Sequence, residues 1–219
     1  MGEAMADETT GSDRSDERTL DSIANQIKGC TACELCRSRT HAVPGEGNRN
    51  ARIMLIGEGP GYHEDQQGRP FIGNSGKFLG ELLGKAGLTR EDVFITNVVK
   101  CRPPGNRDPM PDEIAACSAY LDAQLELIDP DVVVTLGRFS MQRWFLNERI
   151  SKIHGEPRED GKRLIVPMYH PAAALHQAAL RSTIEDDFAR LPKILAEYDQ
   201  RAEVESERSG PKQEQMRLF

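Results

Sequence analysis

Ile53-Met54-Leu55-Ile56-Gly57-Glu58-Gly59-Pro60-Gly61 is the stretch that decides the fold. Its apolar run is too short for a helix and stops at glycine, which is the pattern of a strand buried on both faces. The glycines that follow either connect strand to helix or let the backbone approach a ligand closely with its N–H groups pointing inward. No Gly-Lys-Ser/Thr follows, so this is no phosphate loop, and its spacing is not that of the dinucleotide fingerprint. Working outward, Val93 to Val99, Val132 to Leu136 and Leu164 to Met168 are buried runs of the same kind. Helical periodicity fills the intervals over Gly76 to Ala86, Asp112 to Ile128 after Pro111, Phe139 to Phe145 and Ile184 to Tyr198. Strands alternating with helices predict an α/β sandwich with a central, mainly parallel, four-stranded sheet, and a ligand site beyond the carboxyl ends of its strands.

Across 219 residues, 28 Lys+Arg face 35 Asp+Glu, a formal charge of −7. Residues 1–18 contribute −4, residues 196–219 contribute −2 and the body is left at −1. A near-neutral body excludes a histone-like coat for nucleic acid but leaves room for a basic groove. The expected organisation is a disordered acidic leader over 1–18, one domain over 19–199 and a flexible tail over 200–219. No apolar run reaches the length of a membrane span, and the acidic N-terminus lacks the segments of a secretory signal, so the expectation is a cytoplasmic monomer away from membranes. Of five cysteines, three lie within seven residues, which favours metal ligation in a reducing compartment over a disulfide framework.

Three polar residues fall at predicted strand ends. Glu58 follows the first strand. Asn97 interrupts the second, where a buried amide either ties down a loop or reads a base edge with its donor and acceptor. His170 follows the fourth, where a neutral imidazole is either structural or a donor to a developing oxyanion. Their coincidence at one sheet edge favours a site. Cys30-x2-Cys33-x2-Cys36, Cys101 and Cys117 supply enough thiolates for a tetrahedral zinc or an iron–sulfur cluster.

Gly57-Glu58-Gly59-Pro60-Gly61, Glu64-Asp65 with Gly68-Arg69-Pro70-Phe71-Ile72-Gly73, Ile95 to Pro104 and Tyr169-His170-Pro171 together resemble the family 4 uracil-DNA glycosylases, in that family's order, over roughly residues 25–195. The resemblance implies a three-layer α/β/α fold and a [4Fe–4S] cluster held by Cys30, Cys33, Cys101 and Cys117. Cys36 falls where other members often lack cysteine. It also implies a uracil pocket made by Glu58, Gly59, Phe71, Asn97 and His170, with DNA containing uracil, single- or double-stranded, as partner. The implied chemistry is base excision: uracil is flipped out, stacked on Phe71, identified by Asn97 and cleaved with help from His170 and Glu58. A binder of uracil-containing DNA without catalysis is the alternative.

Family 1 relatives place a water-activating Asp where Gly59 stands, so the base falls to Glu58. Many relatives have Arg at the position of His154. The covalent X-type insertion is missing between Gly105 and Met110, which points to a monofunctional enzyme. For DNA, Arg102, Arg107 and Lys152 are expected at phosphates, and Leu175 either as an apolar wedge or in the core. Gln215-Met216-Arg217-Leu218-Phe219 resembles the peptide by which bacterial repair proteins bind the sliding clamp, with Gln215, Met216, Leu218 and Phe219 as anchors.

Overall fold

The structure is a computed structural model that describes residues 18–209. The leader up to residue 17 and the clamp-like peptide lie outside the described residues. Among the described residues six strands form one sheet: β1 (Glu46–Gly47), β2 (Ile53–Gly57), β3 (Val93–Asn97), β4 (Val132–Leu136), β5 (Arg158–Asp160) and β6 (Arg163–Met168). Their order is β1-β3-β2-β4-β6-β5. The four inner strands are parallel and are those expected, while β1 and β5 add antiparallel edges that raise the count to six. The extra strands are short and polar, so they carry no apolar signature. The second strand ends at Asn97, two residues earlier than expected. Val98 and Val99 then leave the strand but still donate N–H groups to the Gly57 and Glu58 carbonyls (3.0 and 3.1 Å).

Because side chains alternate along a strand, each inner strand feeds two cores. Ile53, Leu55, Val93, Ile95, Val132 and Val134 pack against α3 (Asn74–Lys85) and α8 (Leu180–Ser209). Met54, Ile56, Phe94 and Val133 pack on the opposite face against α1 (Leu20–Gly29) and α4 (Pro111–Ile128). The result is the three-layer α/β/α sandwich. Shorter helices complete it: α2 (Tyr62–Gln67), α5 (Arg138–Met141), α6 (Ile150–Ile153) and α7 (Ala172–His176). The expected helix over Phe139 to Phe145 is cut to α5. The last helix, by contrast, passes the expected domain end at 199 and runs to Ser209. Polarity there predicts a flexible tail, but Glu, Arg and Ala are good helix formers, and Arg201 reaches Glu159 at 2.9 Å. No described helix is long and apolar enough to cross a membrane.

Candidate active site

The chain passes from β2 to β3 on one side and then to β4 on the other, which opens a crevice at the carboxyl ends of the sheet. Glu58 and Gly59 leave β2 there, Asn97 ends β3 and His170 follows β6. With Phe71, Glu64, Pro103, Asp108 and the first turn of α7 they line a cleft of about 500 Å³. Glu58, Gly59, Phe71, Asn97 and His170, the pocket residues expected from sequence, are thus brought together.

Phe71 forms the wall. Its ring stacks on His170 with centroids 5.4 Å apart and planes 28° from parallel. Its backbone is left-handed (φ 50°), unusual for a bulky residue and a local strain. Glu64 steadies the loop by accepting the N–H groups of Ile72 and Gly73 at 3.0 and 2.9 Å. Below, Gly76 lies so close to the Phe71 carbonyl that any Cβ would collide with it. A Cβ on Gly57 would strike both the Phe71 ring and Asn97 Oδ1.

Asn97 is 1 % exposed, and its Oδ1 is a buried acceptor without a hydrogen-bond partner among the described residues. A buried carbonyl left this way costs about 1–3 kcal/mol, an expense that a ligand donor can remove. His170 Nδ1 accepts the Ala172 N–H at 3.1 Å. That bond assigns the remaining ring proton of a neutral imidazole to Nε2. Burial drives the His170 pKa down to about 4, only partly opposed by Glu64, so the ring is neutral near pH 7. Glu58 is pushed the other way: burial and the like charge of Asp108 raise its pKa, while Arg138 lowers it.

The five cysteines gather on the α1 and α4 side, away from His170. Cys30, Cys33, Cys36, Cys101 and Cys117 line one space with Arg39 and Tyr120. Cys101 Sγ receives Arg39 Nη1 at 3.0 Å, and Cys117 Sγ receives the Lys100 N–H at 3.3 Å. Burial raises the Cys101 pKa to about 11 despite Arg39. Among the described residues, no three His, Cys, Asp or Glu side chains close into a single-ion site. The donor set, soft thiols with N–H groups aimed at sulfur, is that of a thiolate-held metal group, zinc or iron–sulfur.

A model of the uracil DNA glycosylase superfamily matches residues 44–191. The chain belongs to the uracil-DNA glycosylase superfamily. It is 48% identical over 187 residues to the type-4 uracil-DNA glycosylase of Saccharolobus solfataricus, covering 81% of this chain and 87% of that one. The type-4 enzymes of Archaeoglobus fulgidus (45% over 185 residues, 80% and 93% covered) and Thermotoga maritima (44% over 184 residues, 82% and 96% covered) are similarly related. The superfamily match begins after Cys30, Cys33 and Cys36, whereas the type-4 similarity spans four-fifths of the chain.

Within this glycosylase frame the expected DNA contacts separate. Leu175 is 49% exposed on α7, so the core alternative falls away. Lys152 is exposed on α6. Arg102 bonds Asn106 Oδ1 at 2.7 Å and lies 5.2 Å over the Tyr62 ring. Arg107 lines the cleft and also forks onto the buried Glu113 at 2.6 and 2.9 Å, and Glu113 accepts the Met110 N–H at 2.8 Å to cap α4. Lys100, which the sequence reading passed over, is 1 % exposed and donates to Thr96 Oγ1, the Asn97 carbonyl and Gln124 Oε1 at 2.6, 2.8 and 2.7 Å. A lysine inside the apolar run Val98 to Cys101 was its only signal.

Proposed function

We propose that this chain is a monofunctional uracil-DNA glycosylase that flips uracil out of DNA, hydrolyses its N-glycosidic bond and leaves an abasic site for base excision repair. The observation that carries the reading is the orphaned Asn97 Oδ1 beside the Phe71 face. Uracil offers an N3–H donor next to the O4 acceptor, the complement of an amide. Cytosine presents a lone pair at N3 and an amine at C4, and would leave the amide opposed on both atoms. Breaking the C1′–N1 bond leaves the electron pair on uracil and positive charge on the sugar. Nε2–H of the neutral His170 donates to the uracil O2 as charge develops there. Ionised Glu58 favours the cationic sugar, orients the water that adds to C1′ and accepts its proton.

Cys30, Cys33, Cys101 and Cys117 would hold a [4Fe–4S] cluster, a reading supported by their shared space and implied by the resemblance to the family 4 enzymes. When bound, it supplies structure rather than redox chemistry, since the hydrolysis moves no electrons between centres. For DNA, exposed Leu175 serves as the wedge, with Lys152 and Arg102 at phosphates. Gln215, Met216, Leu218 and Phe219 would bind the sliding clamp. That reading rests on the peptide alone, and deleting 215–219 should abolish clamp binding while leaving excision from short oligonucleotides unchanged.

The central test is a uracil-containing oligonucleotide incubated with protein and then treated with alkali. Strand breaks at uracil are expected. Binding without breaks would make the protein a uracil sensor. Metal analysis of anaerobically purified protein should give four irons per chain, and stoichiometric zinc without iron would overturn the cluster assignment.

A further inference from the structure

The strained wall residue is gripped from outside the cleft. Arg90, three residues before β3, sends Nη1 to the Phe71 carbonyl at 3.0 Å and Nη2 to the Pro70 carbonyl at 2.8 Å. The same Nη2 meets Glu46 Oε1 at 2.7 Å. Glu46 belongs to β1, paired opposite Ile95 on β3, and is also held by Arg69 Nε at 2.7 Å. Arg90 and Glu46 side chains are each about one-quarter exposed, at 26%. The Phe71 loop is therefore fixed on its N-terminal side by two carbonyls on one guanidinium, and on its C-terminal side by two N–H groups on Glu64. A planar guanidinium presents several donors in one fixed fork, which a lysine cannot reproduce.

We propose that Arg90, oriented by Glu46, is a positioning residue for base recognition: it holds Phe71 in its left-handed backbone conformation so that the ring lies flat against the extruded base. This rests on the reading of the cleft as a uracil site. A bulky residue persists at positive φ only where its surroundings over-determine it. Arg90 supplies that constraint without lining the cleft. The short edge strand β1 places the carboxylate that orients the arginine. Released from Arg90, the Phe71 backbone relaxes toward negative φ, and the ring leaves its place beside His170.

The test is a double-mutant cycle on single-turnover uracil excision, using Arg90→Met, Phe71→Ala and the pair. In the otherwise native protein, Arg90→Met should slow excision about tenfold or more, as expected when a reacting base is misplaced. With Phe71→Ala already present, the same change should slow it by less than about twofold, because no ring is left to position. General damage to the fold would slow both backgrounds equally, and that result, or an unchanged rate for Arg90→Met alone, overturns the proposal. Arg90→Lys keeps the charge opposite Glu46 but not the fork, and carries the same comparison if the methionine variant does not fold. Absence of excision by the native protein would instead strike the glycosylase reading itself.

Discussion

Moving from pH 7 to pH 5 should destabilise the native protein more than a His170→Gln variant, by an amount that follows from the buried ring. In the unfolded chain His170 has its ordinary pKa near 6.5, whereas burial in the cleft lowers it to about 4. At pH 7 both states are nearly neutral and the group contributes little. As pH falls through 6.5 the unfolded chain takes up a proton that the folded protein refuses, so stability falls with pH until the folded pKa is reached. Integrated from pH 7 to pH 5, the difference in proton binding between the unfolded and folded states, never more than one proton at any pH, amounts to ~2 kcal/mol. For a domain of this size that is about 4–8 °C in melting temperature. The assay compares the melting of both proteins at both pH values at one scan rate, where only the native protein carries this extra loss. NMR titration of the His170 Cε1–H should agree, with no protonation midpoint near 6.5. Parallel pH dependence of the two proteins, or a His170 midpoint near 6.5, would refute the picture of a neutral imidazole held by the Ala172 N–H.

Gly57→Ala should reduce excision about 100-fold, because its methyl would occupy the space between Asn97 Oδ1 and the Phe71 ring. Single-turnover kinetics at saturating enzyme checks this, and a native rate would show that the base is seated elsewhere. Lys100→Met removes a donor shared by three acceptors and should cost about 2–4 kcal/mol of stability, read by thermal or urea unfolding. An unchanged melting temperature would mean that the network does not form. Leu175→Ala should leave melting near native, since the side chain is half exposed, while weakening excision from duplex more than from single strands. A large stability loss would return Leu175 to the core.

The inner sheet was legible because each parallel strand is buried on both faces and therefore reads as an unbroken apolar run ended by a turn. Glu58, Asn97 and His170 were legible for the same reason, since polar residues at the ends of such runs must lie at the sheet's carboxyl edge. The edges were not. Glu46–Gly47 and Arg158–Asp160 are two and three residues long and carry no apolar side chain, so no periodicity announces them. Arg90 left no local trace either, because its purpose is a pair of hydrogen bonds to carbonyls 19 and 20 residues upstream. The ion pair of Arg107 with Glu113 left no trace either, because it forms only when the chain returns Glu113 as a helix cap.

The segment from Asn97 to Pro103 explains why a hydrolytic site has thiols as neighbours. Asn97 and Pro103 both line the cleft, yet between them the chain dips to the other side of the domain. Val98 and Val99 stay bonded to Gly57 and Glu58, Lys100 turns inward to hold the Asn97 carbonyl, and Cys101 faces the other cysteines. Both ends of this loop are thus set by the cleft and its middle by the thiol group. Cys30 and Cys33 follow α1, whose Ile23 and Ile27 pack in the same core as Cys101 and Cys117. A cluster bridging these cysteines would close a long loop and restrain the backbone that presents Asn97, while remaining outside the chemistry. The restraint matters because an amide identifies a base edge only while its Oδ1 and Nδ2 are held in place. That gives the buried Lys100 a place as well: it fixes the carbonyl of the residue whose side chain is proposed to read the base, and its own N–H reaches Cys117.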